Sequence, residues 1–146
     1  MAVTSVKIND IMIVTYPDTD TVAVYMGDGD PPPGLIDNSD EIFTGIVVDY
    51  DVQNKIVAFD LYYAYARVDA RERQEDYIRK HVSYVKDGNY GEGTSVLVFY
   101  FHESKGNEVT DLMSTEDDRI LIGTSPSGHL RCLSIKEPEK NIIAMN

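Results

Sequence analysis

Apolar residues in this chain fall into short runs and alternations broken by Pro, Gly, Asn and Asp, the pattern of strands joined by turns. The clearest case is residues 46–61, IVVDYDVQNKIVAFDL. Ile46-Val47-Val48 is β-branched and fits a pleated, half-buried surface. Asp51-Val52-Gln53-Asn54 interrupts it, and Asn tolerates the left-handed backbone that tight hairpins need. Ile56 to Leu61 forms the return strand. A shift of 74 positions lays this stretch without a gap on ILIGTSPSGHLRCLSI, residues 120–135, with Gly128 under Asn54. The same shift lays Val22-Ala23-Val24-Tyr25 on Val96-Leu97-Val98-Phe99 and Tyr16 on Tyr90. The pattern predicts an internal duplication.

The remaining runs complete two units. Strands are expected at 6–15, 21–26, 41–50 and 55–65, then at 84–85, 94–101, 109–113, 119–124 and 129–135, with a short edge strand at 141–145. Three prolines at 31–33 exclude regular structure there. A helix is predicted over residues 69–82, where Asp69-x-x-Glu72 fits a capping box and Glu75/Arg79 and Asp76/Lys80 are spaced for ion pairing. Tyr77, Ile78, His81 and Val82 would form its buried stripe. The fold expected is mainly β. Two similar antiparallel units (about 14–65 and 88–138), related by a pseudo-twofold axis, would form a small barrel or sandwich in one domain, with this helix between them.

Residues 14–62, a third of the chain, also resemble a small β-domain family of bacteria and archaea catalogued as a domain of unknown function. The resemblance lies in Tyr16…Asp20…Val22-Ala23-Val24, Gly45-Ile46-Val47-Val48-Asp49-Tyr50-Asp51 and Lys55-Ile56-Val57-Ala58-Phe59-Asp60-Leu61. The chain departs from the family pattern at Asn54 and Ala58, each in place of Gly, and at Asp60 in place of Glu. Members often look like parts of two-gene toxin–antitoxin arrangements, which implies a protein-binding role for some.

Charge changes the picture. The net charge is −12, and residues 1–66 hold −9 of it. Such a chain repels phosphate backbones, which argues against nucleic acid as a partner. One cysteine, Cys132, excludes an intrachain disulfide, and the three histidines lie at no metal-ligand spacing. No apolar run nears the ~20 residues that span a bilayer, and no secretory signal is visible, so a cytoplasmic location is expected.

Candidate chemistry comes from strand alternation. Val57, Phe59, Leu61 and Tyr63 share one face, and Ile56, Ala58, Asp60 and Tyr62 the other. In the second unit the faces are Arg131/Leu133/Ile135 and Leu130/Cys132/Ser134. The first face of each is a core face. The second mixes small, polar and aromatic groups and suits a ligand cavity. Asp60 and Tyr62 are the candidate catalytic residues; Ala58, Tyr63, Tyr65, Cys132 and Ser134 are the candidate ligand contacts. Twofold symmetry would bring Asp60 near Ser134 around one shared cavity. The plainer reading is a solvated acid on a turn-rich edge and ordinary half-buried tyrosines.

Three functions remain open. The first is a domain binding a small apolar or amphipathic molecule. The second is a cofactor-free cyclase, isomerase or lyase assisted by Asp60 or a tyrosine. The third is a protein-interaction module of the antitoxin or acidic-adaptor kind. A homodimer is compatible with each, and neither a metal nor a cofactor is called for.

Overall fold

A computed structural model describes residues 11–27, 31–63, 82–86, 95–101 and 111–143. They form two five-stranded antiparallel sheets. The first is built from β1 (Met12–Tyr16), β2 (Thr21–Tyr25), β3 (Asn38–Phe43), β4 (Ile46–Tyr50) and β5 (Ile56–Tyr62), in the order β1-β2-β5-β4-β3. The second is built from β6 (Val82–Lys86), β7 (Ser95–Tyr100), β8 (Asp111–Ser114), β9 (Ile120–Thr124) and β10 (Leu130–Lys136), in the order β6-β7-β10-β9-β8. Each sheet thus repeats the strand order of the other. They pack as a sandwich and do not close into a barrel. One helical turn, α1 (Pro138–Asn141), follows β10.

The central hairpins repeat bond for bond. Asn54 and Gly128 both have positive φ, 64° and 88°. The Asn54 amide donates to the Asp51 carbonyl and the Gly128 amide to the Ser125 carbonyl, each at 2.9 Å. The Asp51 amide donates to Lys55 and the Ser125 amide to His129, again each at 2.9 Å. Both return strands carry a bulge at the same place. Tyr50 pairs with Ile56 and Asp49 with Ala58, leaving Val57 as the extra residue. Thr124 pairs with Leu130 and Gly123 with Cys132, leaving Arg131 as the extra one.

The bulges correct the alternation read from sequence. Two residues of β5 oppose one of β4, so strict period two fails at Val57. Ile56 and Leu130 therefore join the core cluster with Phe59, Leu61, Leu133 and Ile135. Tyr63 does not continue the strand; it sits at φ 58° and is 68% exposed.

A second correction concerns β2 and β7. Val22 pairs with Leu61, whereas Leu97 pairs with Ile135; Val24 pairs with Phe59, and Phe99 with Leu133. The equivalent of Val22 is thus Leu97 and not Val96. A one-residue slip exchanges the faces of a strand completely. Accordingly Leu97, Phe99 and Phe101 are in the core, while Val96 and Val98 cluster with Cys132 on the other side of the sheet.

One core cluster takes side chains from both sheets. Phe59 meets Phe99 edge-on at 5.2 Å and Phe101 at 6.5 Å. These three rings and Leu133 are at most 1% exposed. The space between the sheets is filled there by side chains.

Of the predicted helix, residues 69–81 lie outside the described residues, and Val82 belongs to β6. Of the expected strand at 141–145, Asn141 ends α1 and Ile142 makes a parallel bridge to Ile56, while residues 144–145 lie outside the described residues. The proline at the start of α1 supplies the fixed φ that favours a first helical turn.

Candidate functional site

The expected shared cavity does not form from the predicted residues. Ala58, Asp60 and Tyr62 alternate with Phe59 and Leu61, which point into the core, so they face away from the second sheet. Cys132 and Ser134 alternate with Leu133 and Ile135 and face away from the first sheet. The two groups are separated by the full thickness of the sandwich, and sheets alone stack about 10 Å apart. Asp60 and Ser134 are equivalent by position but not neighbours in space. Tyr63 lies beyond the end of β5, and Tyr65 lies outside the described residues.

What the structure brings together instead is a group of side chains on the outer face of the first sheet. Asp60 is flanked by Ala23 of β2 and Val47 of β4. One step along, Ala58 is flanked by Tyr25 and Asp49. In the other direction Tyr62 pairs with Thr21, and Tyr16 pairs with Thr21 from β1. Ala23 and Ala58, at 1% and 0% exposure, form a floor of small side chains. Asp49, Asp60 and the tyrosines Tyr16, Tyr25 and Tyr62 stand around it. The Tyr16 and Tyr25 hydroxyls approach to 3.5 Å. Ser39 Oγ donates to Asp49 Oδ1 at 2.5 Å.

Asp60 and Asp49 occupy diagonal positions of the β4–β5 pair, with Cβ atoms about 7 Å apart. Burial pushes the Asp60 carboxyl up to about 6, and the charge of Asp49 adds to the effect. Burial and the same two acids raise the Tyr62 phenol. The cause in each case is that the ionised form loses water and gains a like charge. Equivalent positions of the second sheet carry Ser134 for Asp60, Cys132 for Ala58 and Gly123 for Asp49. The fold therefore does not require carboxylates there. The Cys132 thiol, buried, is pushed up to about 11, far from an activated thiolate.

Asp51, by contrast, has a structural role. Its Oδ1 accepts from the Gln53 and Lys55 amides at 2.9 and 2.8 Å and closes the hairpin turn. Ser125 does the same in the second unit, accepting from the His129 amide at 3.2 Å.

Sequence reasoning missed a network that ties the sheets together at one end. Tyr50 Oη donates to Asp117 Oδ2 at 2.8 Å. Arg119 donates to both carboxylate oxygens of Asp117, at 2.9 and 2.7 Å, and to the Asn54 carbonyl at 2.8 Å. Its guanidinium lies over the Tyr50 ring, 5.6 Å from the centroid. Burial alone would raise Asp117, but the bonds from Arg119 and Tyr50 outweigh it and hold the carboxyl below its ordinary value. Burial first, and then the bond to Asp117 and its charge, lift the Tyr50 phenol well above its usual range against the opposing charge of Arg119. Tyr50 and Asp117 are 67 positions apart, so no local spacing announces the contact.

Beside this network lies an open cleft of about 590 Å³, lined mainly by polar groups including Asp40, Glu41, Glu116 and Asp118. Among the described residues no cluster of three or more His, Cys, Asp or Glu is placed to hold a metal, and no helix is long and apolar enough to cross a membrane. Comparison with protein-family models, curated proteins and solved structures finds no match to this chain.

Proposed function

We propose that the protein is a binding domain for a small amphipathic cation, held on the outer face of its first sheet. Asp60 carries this reading. A half-buried carboxyl raised to about 6 costs stability at neutral pH, and the equivalent serine in the second sheet supports the same strand geometry without that cost. Groups retained against stability concentrate at functional sites. Two carboxylates suit an ammonium group, and the tyrosine rings suit both its charge and an apolar body.

The test is a nuclear magnetic resonance titration with a panel of alkyl- and arylamines, alongside the matching alcohols and carboxylates. Amines should shift Ala23, Ala58, Asp60 and Tyr62, with binding weakening below about pH 6 as Asp60 takes a proton. Equal binding of the alcohols, or shifts confined to other residues, would defeat the reading.

A second reading rests on the same value. An acid that titrates near neutrality, with a phenol two residues along the same face, can exchange protons with a bound substrate. A cofactor-free isomerase or cyclase would then show turnover that rises or falls through about pH 6 and is lost in Asp60→Asn.

A further inference from the structure

Among the described residues the second sheet ends in β8, a short strand that begins with Asp111 and continues as Leu112, Met113 and Ser114. β8 pairs with β9 in unbroken register. Its Leu112 and Met113 are 42% and 41% exposed, although consecutive residues of a strand point to opposite sides. Natural edges are blunted by charge, proline or bulges, because unpaired backbone groups template another strand. The edge of the first sheet, β3, has such devices: Asp40 and Glu41 are exposed, and a bulge separates Glu41 from Phe43. In β8 the register has no bulge, and the described side chains, Leu112, Met113 and Ser114, carry no charge.

At its C-terminal end β8 runs into a hollow of about 390 Å³ formed by Ser114, Thr115 and Glu116 against residues 41–44. Glu41 and Glu116 line this hollow and also the larger cleft, so the two spaces adjoin. The Glu116 amide donates to the Ile42 carbonyl at 2.9 Å and fixes the junction. The positive charge of Arg119 is taken up by Asp117 at 2.7 Å. Among the described residues the remaining charges lining the cleft are Asp40, Glu41, Glu116 and Asp118.

We infer that the β8 edge receives an extended basic segment of another protein as a sixth strand, its cationic side chains entering the carboxylate-lined cleft. Main-chain bonds along the edge would supply affinity, while Leu112, Met113 and the four carboxylates would select the sequence. A second copy of this chain is the poorer occupant, because a chain of net charge −12 brings like charge to the cleft. The inference is independent of the amine site, whose Asp49 and Asp60 do not line this cleft.

The probe is a capped nine-residue peptide of alternating lysine and threonine, added to the full chain at low salt and followed by calorimetry and amide exchange. Two further peptides carry N-methyl groups on one or the other alternate set of backbone amides, with charge unchanged. Strand addition uses one edge of the peptide, so one methylated peptide should bind at least ten-fold more weakly and the other about as well as the parent. Amide exchange should slow at residues 112–114. Leu112→Lys and Met113→Lys, at exposed positions that leave the fold intact, should each weaken binding several-fold, as should Asp118→Asn. The inference is overturned by failure of the parent peptide to bind, by equal binding of both methylated peptides, or by indifference to the β8 variants. Concentration-dependent self-association abolished by Leu112→Lys would overturn the choice of a basic partner.

Discussion

Asp60→Asn should make the protein more stable, and only in a defined pH window. The folded carboxyl is raised from 3.8 to about 6, chiefly by burial. A raised acid is destabilising once ionised: the cost is absent below the unfolded value near 4, grows as pH rises, and is complete above about 6. Two units correspond to about 3 kcal/mol at 1.36 kcal/mol per unit, an upper limit for a fully desolvated group. Asp60 is half-buried and screened by solvent, so about 1.5 kcal/mol is the expected gain at pH 7. The amide is isosteric and keeps the strand packing. Urea unfolding followed by tyrosine fluorescence suits a chain with ten Tyr and no Trp. Wild type and variant should share a midpoint near pH 3.5, diverge between about pH 4 and pH 6 and then keep a constant difference to pH 7, the variant being the more stable. A variant that is less stable at pH 7, or a difference independent of pH, would refute the reasoning and return Asp60 to an ordinary surface acid.

Other expectations follow from the same contacts. Phe59→Ala should cost about 3–5 kcal/mol in urea unfolding, since it empties the inter-sheet core and removes both ring contacts. Tyr50→Phe should cost about 1–2 kcal/mol at neutral pH by losing a bond to a charged acceptor. Because Asp117 is lowered in the folded state, that cost should be present above the ordinary carboxylate range and fade as acid protonates Asp117, which unfolding at pH 7 and pH 2.5 can compare. Gly128→Val should cost about 1–2 kcal/mol because φ there is 88°, whereas Asn54→Gly should be close to neutral in a thermal melt.

The hairpins were legible because their signals are local. β-Branched runs, Asp and Asn at the turn, and Gly128 beneath Asn54 are enough to predict two equivalent turns with left-handed residues. The core set Phe59, Leu61, Leu133 and Ile135 followed from alternation alone. The bulge at Val57 was not legible, because an extra residue leaves no mark in the apolar run 56–59, whereas a charge at Arg131 on the face of Leu133 and Ile135 was the one sign of its counterpart. The slip between β2 and β7 was hidden for a related reason. Ser95 to Tyr100 is apolar through its middle on both faces, so sequence similarity does not distinguish Val96 from Leu97 as the partner of Val22. The site suffered from the same blindness. Ala58, Asp60 and Tyr62 were grouped correctly, but the side of the sheet they share was assigned to a space between the units that aromatic and aliphatic side chains occupy. The Tyr50–Asp117–Arg119 network depends wholly on how the sheets meet, which no spacing in the chain encodes.

The central claim is that Asp60 and Asp49 together form a seat for a cation. The most direct measurement is the carboxyl carbon titration of Asp60 by nuclear magnetic resonance, free and with a saturating alkylamine. A midpoint near 6 in the free protein, falling when the amine is present because a bound cation favours the ionised acid, is the predicted result. A midpoint in the ordinary range near 4, or one near 6 that the amine leaves unmoved, would contradict it.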